Sequence, residues 1–249
     1  MPPIVTRALI ALLLLGAFAA PPAQAQSKAI LKSADGVAVS ALKWPASGAA
    51  KATILLFHMA GSNKAEYAPI APRLAALGYD VTAIDQRSGG SAFGAANETA
   101  RAFGKEASFA AALPDLEAAL ADARAAAPGR PVIVWGSSYS AALVFVLAAK
   151  HKGEVAGILA FSPGEYLSGT SVRAAAAMVD VPLFVSSASD AGEIAAAKAI
   201  LAASPAKLKI QYEPKSGVHG SSTLRADSNP GGAAENWAAV VAFLVKAVK

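Results

Sequence analysis

Continuous apolar runs alternate with amphipathic stretches along most of this 249-residue chain. Runs of this kind are typical of strands that are buried on both faces of a parallel sheet. The alternation of strands with helices predicts an α/β fold, in which a mostly parallel twisted sheet carries helices on both faces. The runs predict buried strands at residues 53–57, 81–84, 132–135, 156–161 and 183–186.

The stretches between these strands place apolar residues at helical spacing. Gly78 ends the first predicted helix and Pro128-Gly129 ends the second, because both signals stop a helix. The longest stretch with neither pattern covers residues 88–104 and is rich in Gly, Ala and Asn. Helices are predicted at residues 67–77, 109–120, 140–149, 194–203 and 233–248, with a short one near 172–178.

The two edges of the predicted sheet have different patterns. Residues 29–31 and 37–42 are joined by Asp35-Gly36, which supplies the positive φ of a tight turn and predicts an N-terminal antiparallel hairpin. Residues 208–212 alternate apolar with polar side chains, so this strand is expected to be half-exposed at the other edge. One domain over residues 26–249 accounts for all of these elements.

The first 25 residues have the composition of a secretory signal peptide. Arg7 precedes an apolar run at residues 8–20, and Ala23-Gln24-Ala25 is an A-x-A cleavage site. The run is shorter than the roughly 20 residues that a transmembrane helix needs. We therefore expect cleavage before Gln26, export to the periplasm or the extracellular space, and no stable membrane anchor afterwards.

Composition excludes several kinds of chemistry. The chain has no cysteine, which rules out disulfides, a thiol nucleophile and lipid attachment to a cysteine. Its 22 Lys and Arg residues exceed its 17 Asp and Glu residues, but they are scattered rather than clustered. Nucleic-acid binding is therefore not expected. The sequence does not indicate an oligomeric state.

The most informative segment is residues 132–142, where an apolar strand runs into a turn of small residues and then into an apolar helix. Asp190 and His219 follow it, which gives the chain order Ser, Asp, His. This order and context resemble the nucleophile elbow of the α/β-hydrolase superfamily, with G-x-S-x-S in place of the common G-x-S-x-G. The resemblance covers essentially all of residues 26–249 and is greatest to compact carboxylesterases and dienelactone-hydrolase-like enzymes with little or no cap.

Three consecutive or nearby serines compete for the role of nucleophile. A tight elbow needs small residues two positions before and after the nucleophile, and Ser138 has Gly136 and Ser140 there. Ser137 would place Trp135 at the crowded position, and Ser140 would lie inside the helix. Ser138 is therefore the predicted nucleophile, although all three serines are also suited to cap the helix.

The resemblance implies the other two members of a catalytic triad. His219 lies in a loop where the superfamily keeps its general base, and Asp190 follows a strand where the superfamily keeps its acid. Asp190 with Glu193 also forms a D-x-x-E helix start, so a capping role competes with the catalytic one. Glu165, after the preceding strand, is the alternative acid.

The resemblance also implies an oxyanion hole. One donor would be the backbone N–H of Tyr139, the residue after the nucleophile, and the other would be that of Ala60. Met59 stands where related enzymes have a glycine, which leaves the choice between Met59 and Ala60 open. His58 and the loop at residues 85–91, which is similar to a D-x-R-G-x-G-x-S loop of the superfamily, are expected to be structural.

The expected activity is hydrolysis of a small-molecule carboxylic ester through an acyl-enzyme. Neither a metal nor a cofactor is implied, because His219 is too isolated to belong to a ligand cluster. The acyl and alcohol groups are not indicated. A lysophospholipase, a lactone or peptide hydrolase with the same triad, and a binding protein that keeps the fold without activity remain alternatives.

Overall fold

Eight strands form one sheet in the computed structural model, which describes residues 26–248. The order across the sheet is β1-β2-β4-β3-β5-β6-β7-β8. The pairs β1–β2 and β2–β4 are antiparallel, and all other neighbours are parallel, which confirms the predicted fold class and the N-terminal hairpin. The strands are β1 Ser27–Lys32, β2 Ala38–Trp44, β3 Thr53–Phe57, β4 Asp80–Ile84, β5 Val132–Ser137, β6 Gly157–Phe161, β7 Leu183–Ser186 and β8 Lys209–Tyr212.

Seven α-helices accompany this sheet within the described residues. Side chains of the central strands point alternately to the two faces, where they pack into two separate apolar clusters beneath the helices. The helices are α1 Ala71–Ala76, α2 Glu98–Phe103, α3 Leu113–Ala126, α4 Tyr139–Lys150, α5 Val172–Ala176, α6 Ala191–Ala203 and α7 Ala233–Ala247.

The first predicted helix is divided in the structure. A 3-10 turn, Lys64–Tyr67, precedes the separate short helix α1. Pro69 and Pro72 lie between and within these segments and lack the N–H that a continuous helix would use. The apolar spacing correctly marks the buried face, but the two prolines prevent one helix from forming.

Helix α2 lies inside the stretch that the sequence pattern left without structure. The side chain of Asn97 accepts a hydrogen bond from Ala100 N at 2.7 Å, and Gly104 ends the helix with φ at 71°. Both are standard helix-end signals. Hydrophobic periodicity missed this helix because its six residues bury only Thr99.

A buried ion pair fixes the loop after β4. Arg87 bonds through its guanidinium to Asp115 on α3 at 2.7 Å, and their side chains are 5% and 0% exposed. Arg87 also pairs with Asp35 in the β1–β2 turn, whose side chain is 46% exposed. The pair therefore ties three distant segments together, in keeping with the structural role expected for this loop.

Removal of the buried partner should be costly. Asp115→Ala leaves the Arg87 charge buried without its main partner, so we expect the free energy of unfolding to fall by about 3–5 kcal/mol. The matched variant Asp35→Ala removes an exposed partner and should cost about 1 kcal/mol or less. Urea unfolding followed by tryptophan fluorescence measures both, and equal losses would contradict this interpretation.

The predicted signal peptide, residues 1–25, lies outside the described residues. Within residues 26–248, no helix combines the length and the apolar character that crossing a bilayer requires.

Candidate active site

The loop between β5 and α4 holds Ser138 in an unusual backbone conformation. Its φ and ψ are 59° and −121°, a region that residues other than glycine rarely occupy because of steric strain. Gly136 is required beneath it, because a Cβ there would lie 2.2 Å from the carbonyl oxygen of Ser140. Ser138 N donates to Phe161 O at 2.8 Å, which fixes the turn to the end of β6.

His219 is the residue that faces the Ser138 hydroxyl. Its Nε2 lies 2.8 Å from Ser138 Oγ, and its side chain is 43% exposed. The next residue, Gly220, has φ at 67°, and a Cβ on it would come within 2.4 Å of Ser137 Oγ. Glycine at this position therefore allows the histidine loop to approach the elbow closely.

The other nitrogen of His219 contacts Glu193, in the first turn of α6. Nδ1 lies 2.7 Å from Glu193 Oε1, while Glu193 Oε2 accepts a hydrogen bond from Ala188 N at 3.0 Å. Burial alone would raise the pKa of Glu193, but the hydroxyl of Ser162, His219 and the N–H of Ala188 together hold it below its ordinary value. An ionised Glu193 only accepts hydrogen bonds, so Nδ1 carries the proton and Nε2 is free to accept one from Ser138.

Asp190 does not occupy the position expected of it. Its carboxylate accepts hydrogen bonds from Gly192 N at 2.9 Å and Glu193 N at 3.0 Å, and so caps the N-terminus of α6. Contrary to the expectation that Asp190 contacts His219, the capping interpretation of the D-x-x-E start applies to Asp190. Glu193, the glutamate of the same motif, does not bond to the backbone N–H of Asp190 as in a capping box. Its carboxylate contacts Ala188 N and His219 Nδ1 instead.

Glu165, the alternative acid, binds backbone N–H groups at the start of α5. Its carboxylate accepts hydrogen bonds from Val172 N at 2.7 Å and Arg173 N at 3.0 Å, at the start of α5. Neither of its oxygens is within hydrogen-bond distance of His219. The carboxylate that contacts His219, which the sequence analysis did not single out, was visible in the sequence only as the last residue of a capping motif.

The two backbone N–H groups expected to form the oxyanion hole belong to Tyr139, next to Ser138 on the chain, and to Ala60, in the loop after β3. Among residues 26–248, no acceptor takes a hydrogen bond from the N–H of Ala60 or from that of Tyr139. Met59 N, in contrast, donates to Glu66 Oε2 at 2.8 Å. This bond occupies the Met59 N–H and leaves Ala60, which is exposed, as the available donor of the β3 loop.

His58 lies behind this loop and is fully buried. Its Nε2 accepts a hydrogen bond from Gln86 N at 2.9 Å, and its Nδ1 lies 2.8 Å from Met59 O. These partners require the proton on Nδ1. Burial lowers the pKa of His58 to about 4, so the ring stays neutral in ordinary buffers.

The buried His58 should make stability depend on pH. An unfolded histidine binds a proton near its ordinary pKa, whereas folded His58 binds one only near pH 4. Stability is therefore complete above the unfolded pKa and falls as pH decreases from about 6.5 toward 4, by about 2 kcal/mol at pH 5. Urea unfolding at pH 7.5 and pH 5 should show a smaller loss for His58→Gln than for the wild type. The same slope in both proteins would contradict the assignment.

Comparisons with known proteins agree with this architecture. The family model described as "Serine aminopeptidase, S33" matches residues 48–207. A search of curated protein sequences found no match.

Among solved structures, an esterase of Pyrococcus furiosus is 16% identical, covers 90% of this chain and 91% of its own, and has a TM-score of 0.67. A thermostable carboxyl esterase of Bacillus coagulans is 12% identical, with coverage of 91% and 100% and a TM-score of 0.70. A cold-adapted esterase from an Arctic intertidal metagenomic library is 21% identical, with coverage of 75% and 82% and a TM-score of 0.61. At these identities the likeness shows a shared fold.

Proposed function

Because the chain belongs to the serine aminopeptidase S33 family of α/β-hydrolases, we propose that it cleaves carboxylic esters with Ser138, His219 and Glu193 as its catalytic triad. One observation carries the proposal. The ring of His219 bridges Ser138 Oγ at 2.8 Å and Glu193 Oε1 at 2.7 Å. A nucleophile, a base and an orienting carboxylate in one hydrogen-bonded line are what acyl transfer to serine requires.

Acylation begins at the Ser138 hydroxyl. Its oxygen attacks the ester carbonyl carbon while its proton passes to Nε2 of His219, and Glu193 stabilises the imidazolium that forms. The N–H groups of Ala60 and Tyr139 donate to the oxyanion of the tetrahedral intermediate. Tyr139 begins α4, so the positive end of the helix dipole adds to this stabilisation. The intermediate collapses, the C–O bond to the alcohol breaks, and His219 returns the proton to the departing oxygen.

Deacylation repeats the same steps with water. His219 takes a proton from a water molecule, whose oxygen attacks the acyl carbonyl carbon. The bond to Ser138 Oγ then breaks, the proton returns to that oxygen, and the carboxylic acid leaves. Asp190 takes no part in proton transfer and holds the start of α6, from which Glu193 projects.

The acyl group is proposed to be small. A cavity of 270 Å³ lies beside Phe109, whose ring stacks on that of Tyr139 with centroids 4.3 Å apart. Pockets for drug-sized ligands measure about 300–1,000 Å³. Residues 107–110, Tyr166 and Ser168 line this cavity. The aromatic rings in its wall are Phe109 and Tyr166, and Phe109 links the cavity to the residue after Ser138 through its stack on Tyr139. Its size favours a short apolar acyl chain over a long one.

We also propose that the enzyme acts outside the cytoplasm. The support is the sequence alone: Arg7, the apolar run at residues 8–20 and the A-x-A site that ends at Ala25. Mass spectrometry of the mature protein should find Gln26 as its first residue. Recovery of the full-length chain from the cytoplasm would overturn this part of the proposal.

The function is tested by labelling and by substrate choice. A fluorophosphonate should label the protein covalently, and peptide mapping should place the label on Ser138. p-Nitrophenyl acetate and butyrate should be cleaved faster than the palmitate ester, and faster than an amino-acid p-nitroanilide. No labelling and no turnover would support a silent binding protein, while preference for the anilide would support a peptidase.

A further inference from the structure

The peptide group between His58 and Met59 is held at both of its polar atoms. Ser140 Oγ donates to the carbonyl oxygen of His58 at 2.5 Å, and the N–H of Met59 donates to Glu66 Oε2 at 2.8 Å. Ser140 and Glu66 are both fully buried, and they approach from different segments, α4 and the 3-10 turn after β3. The orientation of this peptide is therefore fixed from two sides.

The following peptide, between Met59 and Ala60, carries the oxyanion donor. Its carbonyl oxygen lies 2.8 Å from His58 Nδ1, which carries the proton. The N–H of Ala60 belongs to the same rigid plane and points away from that carbonyl. Its direction thus depends on His58, and the position of His58 depends on the preceding peptide.

We propose that Glu66 and Ser140 are positioning residues that act as a clamp on the His58–Met59 peptide and thereby aim the Ala60 N–H at the oxyanion. The proposal rests on the proposed function, because it concerns the transition state of that reaction. It also gives a role to the serine that replaces the second glycine of the common elbow motif. Ser140 is tied further by Gln86, whose Nε2 donates to Ser140 Oγ at 2.8 Å.

A buried carboxyl group is an expensive acceptor for one N–H. Burial raises the pKa of Glu66 to about 7, although the Ser137 hydroxyl, the N–H of Met59 and the charge of Arg225 act to lower it. Arg225 Nη1 also donates to the backbone oxygen of Glu66 at 2.7 Å, which holds the 3-10 turn in place. A carbonyl or an amide in this position would satisfy Met59 at a lower desolvation cost.

The test compares Glu66→Met, Ser140→Ala and the double variant. Each single change frees one end of the peptide, so kcat for p-nitrophenyl acetate should fall by about tenfold to 100-fold. Affinity for phenylboronic acid, which forms a tetrahedral adduct with serine, should fall by a similar factor. KM should change by less than about threefold, because the ground state does not use the oxyanion hole fully.

The double variant and two controls separate positioning from general damage. Because both residues hold one peptide, the loss of kcat in the double variant should be little greater than the loss in the less active of the two single variants, rather than the product of both losses. Glu66→Gln keeps an oxygen acceptor for Met59 and should recover most of the activity. Tyr67→Phe removes an equally buried hydrogen bond, of 2.6 Å, to Phe57 O in the preceding peptide, and should lower stability without this loss of kcat.

Each result has a distinct meaning. If the wild type neither turns over esters nor binds the boronic acid, the proposed function fails. If the wild type is active and the two single variants match it, only the clamp fails. Losses that add in the double variant, or an equal loss in Tyr67→Phe, would also overturn the clamp in favour of loosened packing.

Discussion

Ser138→Ala should abolish ester hydrolysis, with kcat reduced by about 10⁴-fold or more. The hydroxyl is the only group proposed to form a bond with the acyl carbon, and within residues 26–248 it is the only hydroxyl that His219 contacts. Residual activity should be close to the level that the oxyanion hole and substrate binding provide alone. Initial rates with p-nitrophenyl acetate measure the loss, and fluorophosphonate labelling should disappear with it.

A matched serine gives the control. Ser222→Ala removes a buried hydroxyl from the 3-10 turn after His219 and should leave labelling at Ser138 intact. Circular dichroism and thermal unfolding should show that both variants are folded. Ester hydrolysis at the wild-type rate by Ser138→Ala would contradict the assignment of the nucleophile, whatever the behaviour of the control.

The second large effect distinguishes two carboxylates that lie three positions apart. Glu193→Gln should lower kcat by about 10³- to 10⁴-fold, because an amide neither holds the productive tautomer of His219 nor stabilises the imidazolium. Asp190→Asn should keep kcat within about threefold of the wild type, since asparagine caps a helix as well as aspartate does. The measurement is kcat for both variants across pH 6–9.

The contrast between the two variants is decisive. If Asp190→Asn lost activity as strongly as Glu193→Gln, the sequence-based choice of acid would be restored. Glu193→Asp adds a third comparison, because it keeps the charge but shortens the side chain by one methylene. It should fall between the other two, since its carboxylate no longer reaches His219 Nδ1 at 2.7 Å.

The strands were predictable because their environment is uniform. β3 and β7 have the predicted bounds, since each is a short apolar run covered on both faces. The position of Ser138 at the elbow was also predictable, because only small residues fit around a backbone at φ 59°. Both features depend on local sterics and burial, which the sizes and hydrophobicity of consecutive residues indicate directly.

The carboxylate that contacts His219 was not predictable because its identity depends on which of two neighbouring side chains caps the helix. Asp190 and Glu193 lie within one turn of each other, and spacing alone assigns both to the same motif. The hydrogen bonds from Gly192 N and Glu193 N hold the Asp190 carboxylate at the start of the helix, so Glu193 is the carboxylate that contacts His219. Helix α2 was missed for a related reason, since capping residues rather than an apolar face define it.

The divided helix after β3 shows the opposite error. Tyr67, Ile70 and Leu74 are buried as helical spacing predicts. The prolines between them allow the same burial with a 3-10 turn and a separate short helix. That turn carries Glu66, so the irregularity that periodicity could not detect is also what brings a carboxylate to Met59.

Placing the proposed acid on a helix rather than on a loop links the site to the interior of the protein. Helix α6 is seated by Ala197, Ile200 and Leu201, which are buried on its inner side. A substitution such as Ile200→Ala would open a cavity beneath α6, and the helix could then shift and move the Glu193 carboxylate with it. Substitutions in the interior beneath α6, far from the substrate, should therefore lower kcat under conditions in which the protein is still folded.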